Sequence, residues 1–98
     1  MKHRIISEED EQIEIKCIGS LEKPKDIEFV ENYLNEKKNV SLDMQEVTYI
    51  NSCGFGALVE ETMNFSDANL KVFIHSLNPQ VRKTMEILGG EVLLNFSD

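Results

Sequence analysis

The chain has 98 residues, 41% of them hydrophobic and 29% charged. That is enough for one domain with a modest core, and it leaves little room for a deep enzyme pocket. With 18 acidic residues against 10 basic ones, the net charge is -8. This argues against nucleic acid and anionic membrane surfaces, both of which demand basic patches.

The acidic balance has two readings: a solubility charge, or attraction to a basic protein partner through electrostatic steering. No apolar run approaches the roughly 20 residues that span a bilayer. Met1-Lys2-His3-Arg4 is basic but is followed only by Ile5-Ile6, which does not make a signal peptide. Cys17 and Cys53 have no metal-ligand spacing, and free thiols suit a reducing compartment. The expected location is the cytoplasm.

Residues 4–7 read as a short strand. Residues 7–11 are a charged turn, a solvated loop or a dock for a basic surface. Residues 13–17, Ile-Glu-Ile-Lys-Cys, alternate with period two and predict a half-buried strand paired with the first in a hairpin. Cys17 falls on its apolar face and reads as a core residue. Gly19-Ser20-Leu21-Glu22 breaks the pattern. Pro24 suits the first turn of a helix, whose face carries Ile27, Val30 and Leu34, with Phe29 and Tyr33 beside it. The polar run at 35–39 ends that helix.

Val40, Leu42 and Met44 alternate as a strand, and residues 47–50 extend towards a polar turn. In the next segment Phe55, Leu58, Val59 and Met63 recur at helical spacing, with Glu60, Glu61 and Asn64 opposite. Residues 70–74 are a mostly apolar strand, as in the middle of a covered sheet. Asn78-Pro79 is an N-cap followed by proline at the first helical position. Val81, Met85 and Leu88 form the buried stripe, Gly89-Gly90 stops the helix, and residues 92–96 supply a last strand. The order is β-β-α-β-α-β-α-β: a single α/β domain over residues 1–98, with a mixed, mostly parallel sheet flanked by helices and right-handed crossovers.

Ser52 falls at a helix start, where the dipole tolerates negative charge. It reads as a helix cap or as a site for an anionic group. Gly54, Gly56 and Ala57 admit two readings: close approach of a partner's backbone, or tight helix–sheet packing. Cys53 lies where a thiol pKa can fall, but a nucleophile needs a base, and His3 and His75 are both distant in sequence. Phe55 reads as the first core residue of its helix or as an exposed anchor. The sequence contains no recognisable triad, metal site or glycine-rich phosphate loop, and no cofactor is expected.

Four segments in this order resemble the STAS domain family, which includes the bacterial anti-sigma factor antagonists. They are Gly19-Ser20-Leu21-Glu22, Val40-Ser41-Leu42-Asp43, Asn51-Ser52-Cys53-Gly54-Phe55-Gly56, and Asn78-Pro79-Gln80-Val81-Arg82 leading to Ile87-Leu88-Gly89. The likeness covers nearly the whole chain. It implies a regulatory protein that is not an enzyme, bound and phosphorylated at Ser52 by an anti-sigma factor serine kinase and reset by a PP2C-type phosphatase. The implied partner-binding residues are Glu22, Asn51, Ser52, Cys53, Gly54 and Gly56. Two positions depart from the family pattern: Asn51 replaces an aspartate and Cys53 replaces a second serine. Asn caps a helix as well as Asp does, so the departure bears on phosphorylation more than on partner binding. The alternatives are a STAS scaffold that is not phosphorylated, serving as an accessory subunit, and a small-ligand or nucleotide binder.

Overall fold

Period-two alternation folds the start of the chain into a hairpin. In the computed structural model, which describes residues 1–97, β1 (Lys2–Glu8) runs antiparallel to β2 (Gln12–Leu21). Ile13, Ile15, Cys17 and Leu21 enter the core, while Glu14, Lys16 and Ile18 lie half-buried on the opposite face. β1 is one of the two edge strands and is exposed along its whole length. Gly19 does not end β2. It sits at φ +108, a conformation open to glycine, inside the strand and beside a register shift.

The single helix expected from Pro24 is broken into two 3₁₀ turns, Pro24–Asp26 and Glu28–Val30, followed by α1 (Glu31–Asn35). Two features account for this. Lys23 offers no side-chain cap, and the fully buried side chains, Ile27 and Val30, are three residues apart, the period of a 3₁₀ turn.

The stretches at 40–44 and 47–50 join into one twelve-residue strand, β3 (Asn39–Ile50), parallel to β2. After it come α2 (Ser52–Asp67), β4 (Val72–His75), α3 (Pro79–Ile87), a helical turn α4 (Gly90–Leu93) and β5 (Asn95–Phe96). The sheet order is β1-β2-β3-β4-β5, with β3 in the middle and β4 and β5 parallel to it. β4 is therefore not the central strand. Its Val72 and Ile74 are buried, and Phe73 and His75 lie half-buried on the other face.

α2 packs Phe55, Ala57, Leu58 and Phe65 into the core. Two expectations on this helix fail. Met63 is 59% exposed, and Glu61 is only 5% exposed. At 100° per residue Glu61 stands one turn from both Leu58 and Phe65, on the buried stripe, whereas Met63 falls about 140° away from Leu58. In α3, Asn78 Oδ1 accepts from Val81 N at 2.9 Å, Pro79 opens the helix, and Val81 and Met85 are buried. Gly89, at φ +92, ends it. Gly90 then opens a second helical turn, at a position where a side chain would meet the Met85 carbonyl. The last strand is thus shortened to two residues, and Val92 projects into solvent at 89% exposure. Among the described residues, no helix is long and apolar enough to cross a membrane.

Candidate functional site

Parallel pairing of β2 with β3 brings Leu21 opposite Ile50, so both strands end at the same edge of the sheet. The segment after each strand is held there. Asn51 N donates to the Leu21 carbonyl at 3.4 Å. Asn51 is extended (φ -117, ψ 179), and its Oδ1 accepts from Gly54 N at 2.8 Å, which makes it the N-cap of α2. Its carbonyl accepts from Phe55 N at 2.9 Å and starts the helical ladder. The cap is Asn51, so Ser52 is spared that task. Ser52 and Cys53 occupy the first two helical positions, and both are exposed.

The three small residues that follow divide between the two readings. Gly54 is buried, and a Cβ built on it would lie 2.0 Å from the Leu21 carbonyl oxygen. Its burial favours the reading of tight packing inside the domain over that of a partner contact. Ala57 is buried as well, and Phe55 is a core residue. Gly56 is exposed with open space around it.

Glu22 is exposed immediately after Leu21, beside the Asn51 turn. Its Oε2 accepts from Ser20 Oγ at 2.7 Å, and its backbone N–H donates to Asp26 Oδ2 at 3.0 Å. That backbone hydrogen bond holds the Asp26 carboxyl below its usual pKa. The end of β2, with Glu22, and the first turns of α2, with Asn51, Ser52, Cys53 and Gly56, are therefore neighbours at one edge of the sheet.

Cys17 lies opposite His3 in the β1–β2 register, but it is buried in the core. Burial pushes the Cys17 thiol up to about 12, as befits a core residue. Cys53 is exposed. His3 stacks on Phe29 with centroids 3.8 Å apart, and His75 Nδ1 lies 2.8 Å from Ser76 Oγ, with Nε2 3.7 Å from Glu14.

One residue of this region escapes the sequence reading. Glu61 Oε1 is buried without a hydrogen-bond partner. Its carboxyl lines a cavity of about 80 Å³ together with Pro24, Glu28, Glu31, Ala57 and Glu60. Burial raises its pKa to about 7, and the neighbouring Glu31 carboxyl adds to the shift. Its spacing of three from Leu58 and four from Phe65 puts it on the buried stripe, although a charged residue is ordinarily found outside.

Helices packed on a mixed sheet, with a capped turn at the strand ends, are the architecture of the STAS domain. The family model for that domain matches residues 6–98, and the chain belongs to the family. Two solved structures are similar throughout. The anti-sigma factor antagonist SpoIIAA in its unphosphorylated form aligns with a TM-score of 0.69 and 12% identity, over 99% of this chain and 88% of that one. The Bacillus cell fate determinant SpoIIAA in the phosphorylated form aligns with a TM-score of 0.67 and 12% identity, over 99% and 92%. At that identity the likeness establishes the fold. No individually curated protein matches the chain.

Proposed function

We propose that this chain is a regulatory protein of the anti-sigma factor antagonist type. The unmodified face around Ser52 binds a serine-kinase anti-sigma factor, phosphorylation of Ser52 releases it, and a PP2C-type phosphatase restores the unmodified form. The observation that carries this reading is the exposure of Ser52 at the first position of α2, with capping delegated to Asn51. The likeness to SpoIIAA, solved in unphosphorylated and phosphorylated forms, supports it.

The physics of the switch is local. A phosphate adds about -1.5 to -2 charges at the serine. The first-turn N–H groups and the helix dipole favour it by roughly 0.3–1 kcal/mol at an exposed site. The domain therefore tolerates the group. A partner surface docked on Ser52 does not, because burying a hydrated dianion without a counter-charge costs several kcal/mol. Asn51 favours a second reading, in which the same face binds its partner without phosphorylation. The amide caps the helix but brings no carboxylate beside the hydroxyl.

Incubation with the cognate kinase and ATP, followed by intact-mass measurement, tests the first reading. One phosphate on wild type and none on Ser52→Ala is the expected result. Ser52→Asp should bind the kinase at least about tenfold more weakly than wild type. Wild type that binds the kinase yet stays unmodified leaves the second reading standing in place of the first.

A further inference from the structure

The cavity beside α2 is walled by four glutamates, Glu28, Glu31, Glu60 and Glu61, with Pro24 and Ala57 completing it. One of the four differs from the others. Glu61 lines the cavity, is nine-tenths buried and has one oxygen, Oε1, without a hydrogen-bond partner, while its carboxyl also meets the side chains of Glu31 and Asn64. A buried carboxylate oxygen left unpaired is a standing penalty, which a charged donor entering from outside would remove. The Glu60 row of α2 also holds Gly56 and Ser52, at successive intervals of four residues. Glu60, on the rim of the cavity, therefore stands about 12 Å along the helix from Ser52.

We propose that this notch receives the guanidinium group of an arginine on the partner protein. The proposal rests on reading the α2 face as a docking surface and adds to it the chemistry of one anchoring contact. Size favours a single side-chain head: a cavity of about 80 Å³ exceeds the 10–15 Å³ that one water requires, yet is far below the 300 Å³ or more of a small-molecule site. Charge requires a cation. A metal ion is disfavoured, because among the described residues no three carboxylate, histidine or cysteine ligands converge on a point. A guanidinium suits carboxylates spread around a rim, since its five donors diverge in one plane and it tolerates partial burial better than an ammonium does.

Protonation couples to this contact. Glu61 faces Glu31 from α1 and Glu60 and Asn64 from its own helix, and the carboxylates among these disfavour its charge. A bound cation favours the ionised form, so binding releases a proton from the notch and weakens as pH falls through about 7.

N-acetyl-arginine amide is the probe, and N-acetyl-citrulline amide is its uncharged isostere. Isotope-labelled protein is titrated with each, following the amides of Glu31, Ala57 and Glu60 and the side-chain carboxyl carbon of Glu61. Saturable shifts at these four positions with the arginine probe, none with citrulline, and severalfold weaker binding at pH 6 than at pH 8 are expected. Glu61→Gln and Glu31→Gln should each weaken the probe at least fivefold while keeping a dispersed spectrum. Glu31→Gln, at an exposed position, serves if the first variant is perturbed. Non-saturating shifts spread over the Glu8–Glu11 loop, unchanged binding in both variants, or tighter saturation by magnesium or putrescine would overturn the proposal. No partner is needed, so failure here is separable from failure of the kinase experiment.

Discussion

Gly54 and Gly56 stand two residues apart in one helix and have opposite roles. Gly54 abuts the backbone of Leu21, where a Cβ would come within 2.0 Å of the carbonyl oxygen. Gly56 has nothing within 4 Å of the corresponding position. Gly54→Ala should therefore destabilise the domain by roughly 1–3 kcal/mol through overpacking. Gly56→Ala should stabilise it by about 0.5–1 kcal/mol, by removing backbone freedom from the unfolded chain. Urea midpoints of the two variants separate these outcomes, and equal effects would refute the assignment. The distinction is invisible in sequence, because the obstacle at Gly54 comes from a strand far earlier in the chain. Glu61 was hidden for a related reason: its position on the helix was readable, but its charge argued for solvent.

At the scale of elements, α2 depends on its first residue. Asn51→Ala removes the acceptor for Gly54 N and should cost about 1 kcal/mol. Asn51→Asp keeps the acceptor and should lie within a few tenths of a kcal/mol of wild type. Chemical denaturation of the three proteins checks this order. If Asn51→Asp is also phosphorylated faster at unchanged stability, the departure at position 51 acts on the kinase step alone. Most element starts were legible because their signals are local: the alternation of Ile13, Ile15 and Cys17, the Asn51 turn, and the Asn78-Pro79 pair. The misread elements obey non-local terms. The segment after Pro24 breaks into 3₁₀ turns because Ile27 and Val30 must both reach the same core. The last strand shortens because residues 90–93 form a helical turn, with Gly90 fitted against the Met85 backbone. The motif put Glu22, Asn51, Ser52, Cys53 and Gly56 forward as a site, and the sheet register sets the segments that carry them next to each other.

For the whole molecule, pH acts through two carboxyls shifted in opposite directions. Asp26, held down by the Glu22 backbone N–H, contributes stability that is present above its unfolded pKa and lost as pH falls through its lower folded one. Glu61 runs the other way. Its folded pKa of about 7 lies above the usual 4.5, so its contribution is fully present below about 4.5 and lost as pH rises towards 7. Wild type should thus lose stability between pH 5 and pH 8. Glu61→Gln, which carries no charge there, should lose roughly 1–3 kcal/mol less over the same interval. Denaturant titrations of both proteins at the two pH values measure the difference, and parallel profiles would show that Glu61 does not titrate in this range. The net charge of -8 adds self-repulsion common to both proteins, which cancels in the comparison.

The contact between Gly54 and the Leu21 carbonyl has one more consequence. It joins the end of β2 to the first turn of α2, backbone against backbone. Glu22 and Ser52 are therefore fixed relative to each other before any encounter. A partner docking here as proposed would meet backbone already held in place, so little of its binding energy would be lost to ordering. Association should follow the kinetics of rigid surfaces, with its rate set by collision and orientation and its lifetime by the chemistry at the serine.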